Sequence, residues 1–173
     1  MKKTTKILMN EHKNILKLAD ALERECQMLK SGKDVDKNFF TNAVDFIRNY
    51  ADKFHHAKEE DILFKEFCKR ESELHCNPVE QMLYEHDLGR GFVKGVEEGI
   101  NEKSKEKIKE NALGYANLLK EHIFKEDNIL YPMAEKVIDE KTKKEIIKKF
   151  KEIEEKKKAE KEKYLNFVNK IKN

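Results

Sequence analysis

Two ten-residue segments of this sequence repeat one another and carry the same candidate metal ligands. Residues 55–64 and 122–131 match at His, Lys, Glu, Ile and Leu without a gap. Each segment contains a His-x-x-x-Glu pair, namely His55 with Glu59 and His122 with Glu126. Residues four apart on a helix lie on one face, with Cβ atoms about 5–6 Å apart, so both side chains of a pair can reach a common metal ion.

A second repeat lies upstream of each pair. Glu11-His12 opens the first helical pattern as Glu85-His86 opens the third, and apolar residues at helical spacing follow both. The chain therefore reads as two helical hairpins of matching design. Stacked antiparallel, the hairpins would bring six candidate ligands to one level of the interior: His12, His55, Glu59, His86, His122 and Glu126.

The neighbours three, four and seven residues away indicate which histidines are buried. The four repeated histidines lie on apolar stripes; His86, for example, has Met82 and Val93 at these spacings. His56 has polar neighbours instead, including Asp52 and Glu60, which predicts a position at the boundary with solvent. Ionised glutamates on apolar stripes need a compensating charge, which two divalent cations would supply.

A metal-free interpretation treats each histidine as a hydrogen-bonded core residue and each glutamate as an edge residue. For one position alone this is the commoner outcome, but it does not explain why the same pair recurs in both halves. Four imidazoles and two carboxylates suit first-row transition ions that carboxylates can bridge, whereas zinc sites are usually tetrahedral. We predict two iron ions, with manganese or a mixed pair left open.

The apolar periodicity predicts the helices that position these residues. We expect helices from about Thr4 to Lys30, from Asp34 or Asp36 to about Phe67, from Pro78 to about Ile100, from near Ser104 to Pro132, and after Thr142. Ser31-Gly32 should end the first helix, Gly99 with Asn101 the third, and Pro132 should end or kink the fourth. The predicted fold is all-α: an antiparallel up-down four-helix bundle over 1–138, with an additional charged C-terminal helix over 139–173 packed on it or extending from it.

Composition excludes several classes of function. Charged residues make up 41% of the chain, but Lys+Arg 37 nearly balances Asp+Glu 34, which indicates a solvated surface and no nucleic-acid partner. With a mean hydropathy of -0.88 and no apolar stretch of about 20 residues, we expect a soluble, cytoplasmic protein with no membrane partner. Cys26, Cys68 and Cys76 lack C-x-x-C spacing and read as reduced thiols, and the His75-Cys76 pair reads as a chance neighbour.

The pattern resembles the hemerythrin-like, or HHE cation-binding, family, whose signature is H...HxxxE...H...HxxxE on a four-helix bundle. The match runs from about Ile7 to Pro132. The resemblance implies that His12 and His55 bind one iron, that His86 and His122 bind the other, and that two glutamates bridge them with a solvent-derived oxygen. The bridging residues would be Glu59 and Glu126.

The sequence departs from the oxygen carriers that it resembles, which use two histidines four apart in the third helix. Here Arg90 stands four residues after His86, and one histidine fewer favours redox chemistry over reversible oxygen carriage. Some family members use the residue after the second-helix histidine as a ligand, so His56 stays an open candidate. Four further residues are candidate neighbours of the site, either supporting it or serving solvent contact and core packing: Tyr50, Glu60, Tyr115 and Asp127.

We therefore expect a non-haem di-iron protein that binds or reduces dioxygen, peroxide or nitric oxide. Whether it turns over as an enzyme, for example as a peroxidase with an unidentified redox partner, stays open. The alternative is a non-enzymatic iron, oxygen or redox sensor, or an iron-storage or delivery module, for which the charged stretch 154–163 is the candidate output element. Gly89 either leaves room for a small ligand or allows close helix packing.

Overall fold

A computed structural model describes residues 4–70, 72 and 77–171, and all regular structure within these ranges is helical. Four helical rods form the main body of this part of the chain. Rod A is α1 (Lys6–Lys30), and rod B joins α2 (Lys37–Phe46), the π-helical stretches π1 (Ile47–His56) and π2 (Glu59–Leu63), and α3 (Phe64–Cys68). Rod C is α4 (Val79–Glu102), and rod D joins α5 (Lys105–Lys125), the π-helical stretch π3 (Glu126–Leu130) and α6 (Tyr131–Val137).

Local chemistry accounts for most of the rod ends. The Asp36 and Ser104 side chains accept hydrogen bonds from backbone amides three residues on, which caps the starts of rods B and D. Gly32 has φ +100, confirming the left-handed end predicted for rod A. Rod C ends at Glu102 and is followed by Lys103 in a left-handed conformation, with φ 56, two residues beyond the end predicted near Ile100.

Pro132 was expected to end or kink the fourth helix, and the structure shows that the rod does not end there. The hydrogen-bond pattern changes from π to α at this point, and Pro132 falls in the first turn of α6. A proline is tolerated in a first turn because its amide would have no partner within the helix.

The four rods pack in a ring, in which rod A contacts rods B and D, and rod C also contacts rods B and D. Two buried apolar clusters lie along the rods. The first includes Ile15, Phe54 and Val93, and the second includes Leu8 and Ile62. The histidines and glutamates of interest lie between the two clusters along each rod, so apolar layers close the site on both sides.

The C-terminal segment forms two helices, α7 (Glu140–Lys156) and α8 (Lys158–Lys170), where the sequence predicted one. The break falls at Lys157, whose Nζ donates to the backbone oxygen of Lys53 at 3.0 Å. Phe150 of α7 is buried in the second cluster and Tyr164 of α8 in the first. Treating 1–138 and 139–173 as separate units stays a prediction. Among the described helices, none has the length and apolar character needed to cross a membrane.

Candidate metal centre

The structure brings all six predicted ligands together in one buried site. The histidines form two pairs, one from each half of the chain. Nε2 of His12 lies 3.0 Å from Nε2 of His55, and Nε2 of His86 lies 3.1 Å from Nε2 of His122. All four side chains are buried, as the apolar stripes predicted.

The two glutamates lie between the histidine pairs. Oε2 of Glu126 is 3.3 Å from Nε2 of His12, whereas its Oε1 is 3.2 Å from Nε2 of His122. Oε2 of Glu59 is 3.5 Å from Nε2 of His55 and 3.6 Å from Nε2 of His86. Each carboxylate therefore faces one imidazole of each pair, which is the placement that a carboxylate bridging two metal ions requires.

The outer nitrogen of each imidazole is held by a carboxylate. The distances from Nδ1 are 2.8 Å for His12 to Asp127, 2.9 Å for His55 to Glu11, 2.7 Å for His86 to Glu60 and 2.8 Å for His122 to Glu85. An Nδ1–H that donates to a carboxylate leaves the Nε2 lone pair free, and this arrangement orients histidine ligands in metal sites. All four Nε2 atoms point to the space between the glutamates.

Glu11 and Glu85 were part of the sequence repeat but were not assigned to the site. The repeated Glu-His dipeptide was the signal that could have found them. Each of these glutamates also accepts a hydrogen bond from a lysine of the repeated segments, Lys58 for Glu11 and Lys125 for Glu85. The histidine, glutamate and lysine of each half therefore form a continuous chain of contacts.

The two halves differ in how deeply these lysines are buried. The Lys58 side chain is 0% exposed and its Nζ lies 3.9 Å from the centroid of the Phe54 ring, whereas Lys125 is 32% exposed. Burial lowers the pKa of Lys58, against the attraction of Glu11. Burial likewise raises the pKa of Glu11, against the attraction of Lys58. The first half of the site is thus the more enclosed.

Three carboxylate oxygens at the centre have no hydrogen bond from the described residues. They are Oε2 of Glu59 and both oxygens of Glu126, which are buried and accept none of good geometry within this part of the chain. Burial, followed by the charge of Glu126, raises the pKa of Glu59 well above its usual value. A buried carboxylate pair without partners is costly unless cations compensate it. These orphaned oxygens, facing four imidazole nitrogens, fit metal ions.

The protons that the site would hold without metal follow from the same contacts. Burial opposes the charged form of His12, but the hydrogen bond to Asp127 raises its pKa to about 10. Burial also opposes the charged form of His122, but the charge of Glu126 raises its pKa to about 10. Burial disfavours ionised Glu126 as well, yet the charges of His122 and His12 hold its pKa well below the usual value.

His56 is buried, so its predicted boundary position was wrong. The residue is 8% exposed, and its ring stacks on that of His86 with centroids 3.8 Å apart. It lies in π1, where the wider turn brings two consecutive residues, His55 and His56, to the interior. One nitrogen each of His56, His86 and His122 lie within 4.8 Å of one another. His56 therefore adds a fifth imidazole to the site.

Arg90 supports the site through carboxylates. Its guanidinium pairs with Asp52 and with Glu60, both at 2.7 Å. Asp52 lies 3.3 Å from Nδ1 of His56, and Glu60 holds Nδ1 of His86. Arg90 thus anchors the groups that orient two stacked imidazoles.

Tyr131 is a site residue that the sequence reasoning missed. Its hydroxyl donates to Oε1 of Glu59 and lies 3.3 Å from Nε2 of His12. Its counterpart in the repeat is Phe64, whose ring stacks near His86, so the two halves differ here by one hydroxyl group. Aligning residues 55–64 with residues 122–131 places Tyr131 opposite Phe64, and this alignment could have identified Tyr131 from the sequence.

The other residues that the sequence singled out are two tyrosines, the cysteines and His75. The Tyr50 hydroxyl accepts a hydrogen bond from Asn14, and the Tyr115 ring lies beside Gly89. Among the described residues, Cys26 and Cys68 are free thiols. His75 and Cys76 lie outside the described residues.

Comparison with known proteins agrees with the resemblance seen in the sequence. The family model described as the hemerythrin HHE cation binding domain matches residues 3–134, a range that includes all six predicted ligands. No curated protein and no solved structure matches the chain. The match covers most of the sequence, and the chain therefore belongs to the hemerythrin HHE cation-binding domain family.

Proposed function

We propose that this protein is a non-haem di-iron protein that binds or reduces a small oxidant such as dioxygen, peroxide or nitric oxide. The observation that carries the proposal is the position of Glu59 and Glu126 between two histidine pairs, with their inward oxygens lacking hydrogen bonds. Family membership supports metal binding as such. Iron, the number of ions and the oxidant are our inference from the donor set.

In this proposal the four rods form the antiparallel up-down bundle expected from the sequence, and each half supplies one metal position. His12 and His55 would hold one iron and His86 with His122 the other, bridged by the two glutamates. His56 would add a third imidazole at the second position, because its ring lies beside those of His86 and His122. This arrangement compensates for the histidine that Arg90 replaces, and it leaves the first position with one imidazole fewer than the second.

Two adjacent irons would supply the two electrons that reduction of peroxide requires. The chain's own residues set the conditions for that chemistry. Carboxylates orient the imidazoles, apolar layers exclude water, and the Tyr131 hydroxyl holds a proton at Oε1 of Glu59, beside the position with fewer imidazoles. This hydroxyl lies 3.3 Å from Nε2 of His12, and we propose that it donates a hydrogen bond within that half of the site.

A sensor function is the second candidate, favoured by one line of contacts. Glu11 links His55 to Lys58, and Nζ of Lys58 lies 5.7 Å from the ring centroid of Phe150 in α7. A change in the position of His55 would therefore be transmitted through Glu11 and Lys58 to the C-terminal helices.

A cytoplasmic location of the protein stays a prediction.

Elemental analysis of anaerobically purified or ferrous-reconstituted protein tests the proposal. We expect close to two irons per chain, lost in Glu126→Ala and in His86→Ala but retained in Glu121→Gln, an exposed carboxylate on α5. The result that would overturn the di-iron proposal is a reproducible single zinc, or no metal after reconstitution.

Stopped-flow spectroscopy then separates reduction from carriage. We expect the ferrous protein to be oxidised rapidly by dioxygen or peroxide and to be available for re-reduction. Release of intact dioxygen under vacuum would favour a carrier or sensor, and inertness toward every oxidant would reject redox function.

A further inference from the structure

The first turns of α7 carry a concentration of positive charge. Residues 141–151 contain six lysines and one glutamate, a formal charge of +5. The whole chain carries a net charge of +3, so the remaining residues together carry −2. Four of the five glutamates of α7 lie outside this stretch. The positive charge is therefore a local feature of α7 and not a property of the whole surface.

Four of these lysines lie along the outer face of α7. They recur at three- and four-residue spacing, which places them on one side of the helix, and we call them the α7 lysine stripe: Lys141, Lys144, Lys148 and Lys151. All four are exposed, and none has an ion-pair partner among the described residues. Lys143, on the flank of the stripe, pairs instead with Glu135 at 3.5 Å. The stripe thus presents uncompensated charge to solvent.

The buried side of α7 lies over the first half of the metal centre. Phe150 is buried, and its ring centroid is 5.7 Å from Nζ of Lys58. Lys58 donates to Glu11, which holds Nδ1 of His55 at 2.9 Å. Phe150 and the stripe occupy opposite sides of a helix about 10–12 Å in diameter. A partner bound to the stripe would therefore lie outside the half of the site that contains His55.

The chemistry of α7 favours an acidic protein over two other anionic partners. Arginine is the residue best suited to bidentate contacts with phosphate groups of nucleic acids, and α7 contains none. A helix that lies in a membrane surface inserts its large apolar side chains into the lipid, whereas Ile146 and Phe150 are buried in the protein. Exposed ion pairs are individually weak, and charge across an interface mainly raises the rate of encounter. These properties suit a transient protein partner.

We propose that the α7 lysine stripe is the docking surface for an acidic electron-transfer protein that reduces the metal centre. The inference rests on the proposed function, because two irons that have been oxidised by dioxygen or peroxide need an outside electron donor before they can react again. In each docking event the donor loses one electron and one ferric ion becomes ferrous, so two events restore the di-ferrous protein. Electron-transfer complexes of this kind bury little surface.

An acidic plant-type ferredoxin is the probe, and cytochrome c, a basic electron-transfer protein, is the matched probe of opposite charge. Calorimetric titration of the iron-loaded protein at low salt should show binding of ferredoxin and no binding of cytochrome c. The Kd for ferredoxin should rise with ionic strength, since the screening length falls from about 30 Å at 0.01 M to about 10 Å at 0.1 M. The double variant Lys144→Glu/Lys148→Glu should raise this Kd by at least about fivefold, because each reversal replaces an attraction with a repulsion.

The matched control is Lys30→Glu/Lys94→Glu, which makes the same change in net charge at exposed lysines of α1 and α4. This control should bind ferredoxin nearly as tightly as wild type, and circular dichroism checks the fold of both variants. The docking surface is rejected if ferredoxin does not bind, or if the two double variants lose affinity equally. It is also rejected if the stripe variant keeps its affinity for ferredoxin but loses binding to duplex DNA or to phosphatidylserine vesicles.

Iron content is measured on the same samples, so that the two proposals can fail separately. Iron-loaded protein that does not bind ferredoxin would overturn only the docking surface. Stripe-dependent binding of ferredoxin to a protein that takes up no iron would overturn the di-iron proposal and leave the docking surface supported.

Discussion

The Tyr131 hydroxyl donates a hydrogen bond to Oε1 of Glu59, a residue 72 positions away in the sequence. The other oxygen of this buried carboxylate, Oε2, accepts no hydrogen bond from the described residues. The tyrosine ring also stacks on His12, with centroids 5.5 Å apart. Tyr131 therefore connects a glutamate of rod B with a histidine of rod A, although it begins α6 in rod D. Its hydroxyl is one of the few features that distinguish the two halves of the site.

Tyr131→Phe should destabilise the metal-free protein. Removing the donor leaves Oε1 of Glu59 buried without a partner, which costs about 1–3 kcal/mol. Thermal unfolding should show a lower midpoint, by about 2–4 °C for each kcal/mol in a chain of this size. Tyr84→Phe, at an exposed tyrosine of α4, is the control. Equal midpoints for wild type and Tyr131→Phe would contradict the assigned contact.

Glu11→Gln and Glu85→Gln should each weaken iron binding without removing a ligand. Loss of a carboxylate that orients a histidine ligand typically lowers metal affinity by about 10- to 100-fold, which competition with a chelator can measure. Glu11→Gln should also lower the free energy of unfolding more than Glu85→Gln, because it leaves the fully buried Lys58 unpaired.

Glu80→Gln, on the exposed face of α4, is the control for both variants. The proposed support of the imidazoles would be wrong if both variants bound iron as tightly as this control. Equal unfolding free energies for the two variants would show that the burial of Lys58 does not matter.

His56→Ala should reduce iron binding only in part. His56 groups with His86 and His122, whereas His12 and His55 group with the two glutamates, so the first metal position should survive. We expect the iron content to fall below two per chain but to stay above that of His86→Ala, when both are measured under the same chelator challenge. Lys53→Ala, an exposed neighbour in π1, should retain full iron content. A complete loss in His56→Ala would show that this residue is needed at both positions.

Gly89→Ala and Gly99→Ala should change stability in opposite directions. Alanine is favoured over glycine within a helix by about 1 kcal/mol, and at Gly89 the added methyl group makes only ordinary contacts. At Gly99 the methyl group would overlap the Ile108 backbone, and overpacking of this kind costs about 1–3 kcal/mol. Urea denaturation midpoints decide the sign, and a stabilised Gly99→Ala would contradict the helix packing described above.

Periodicity and repetition in the sequence were enough to identify the six central residues. A helix brings residues four apart to one face whatever surrounds it, so the His-x-x-x-Glu pairs could be recognised before any packing was known. The ends at Gly32 and Asp36 followed from local chemistry for the same reason. Burial of the four repeated histidines followed from their apolar neighbours on the same helix.

Only the tertiary structure decided which residues support these six. The contacts of Tyr131 with Glu59 and of Glu11 with His55 join different rods, and the relative register of two rods depends on how their side chains pack. The burial of His56 depended on π-helical winding, which changes the face that a residue occupies. Lys58 and Lys125 occupy equivalent positions in the repeat, yet Lys58 is fully buried with its Nζ 5.7 Å from the Phe150 ring of α7, whereas Lys125 is 32% exposed. The sequence of the repeat cannot show this difference, because it depends on where a later helix packs.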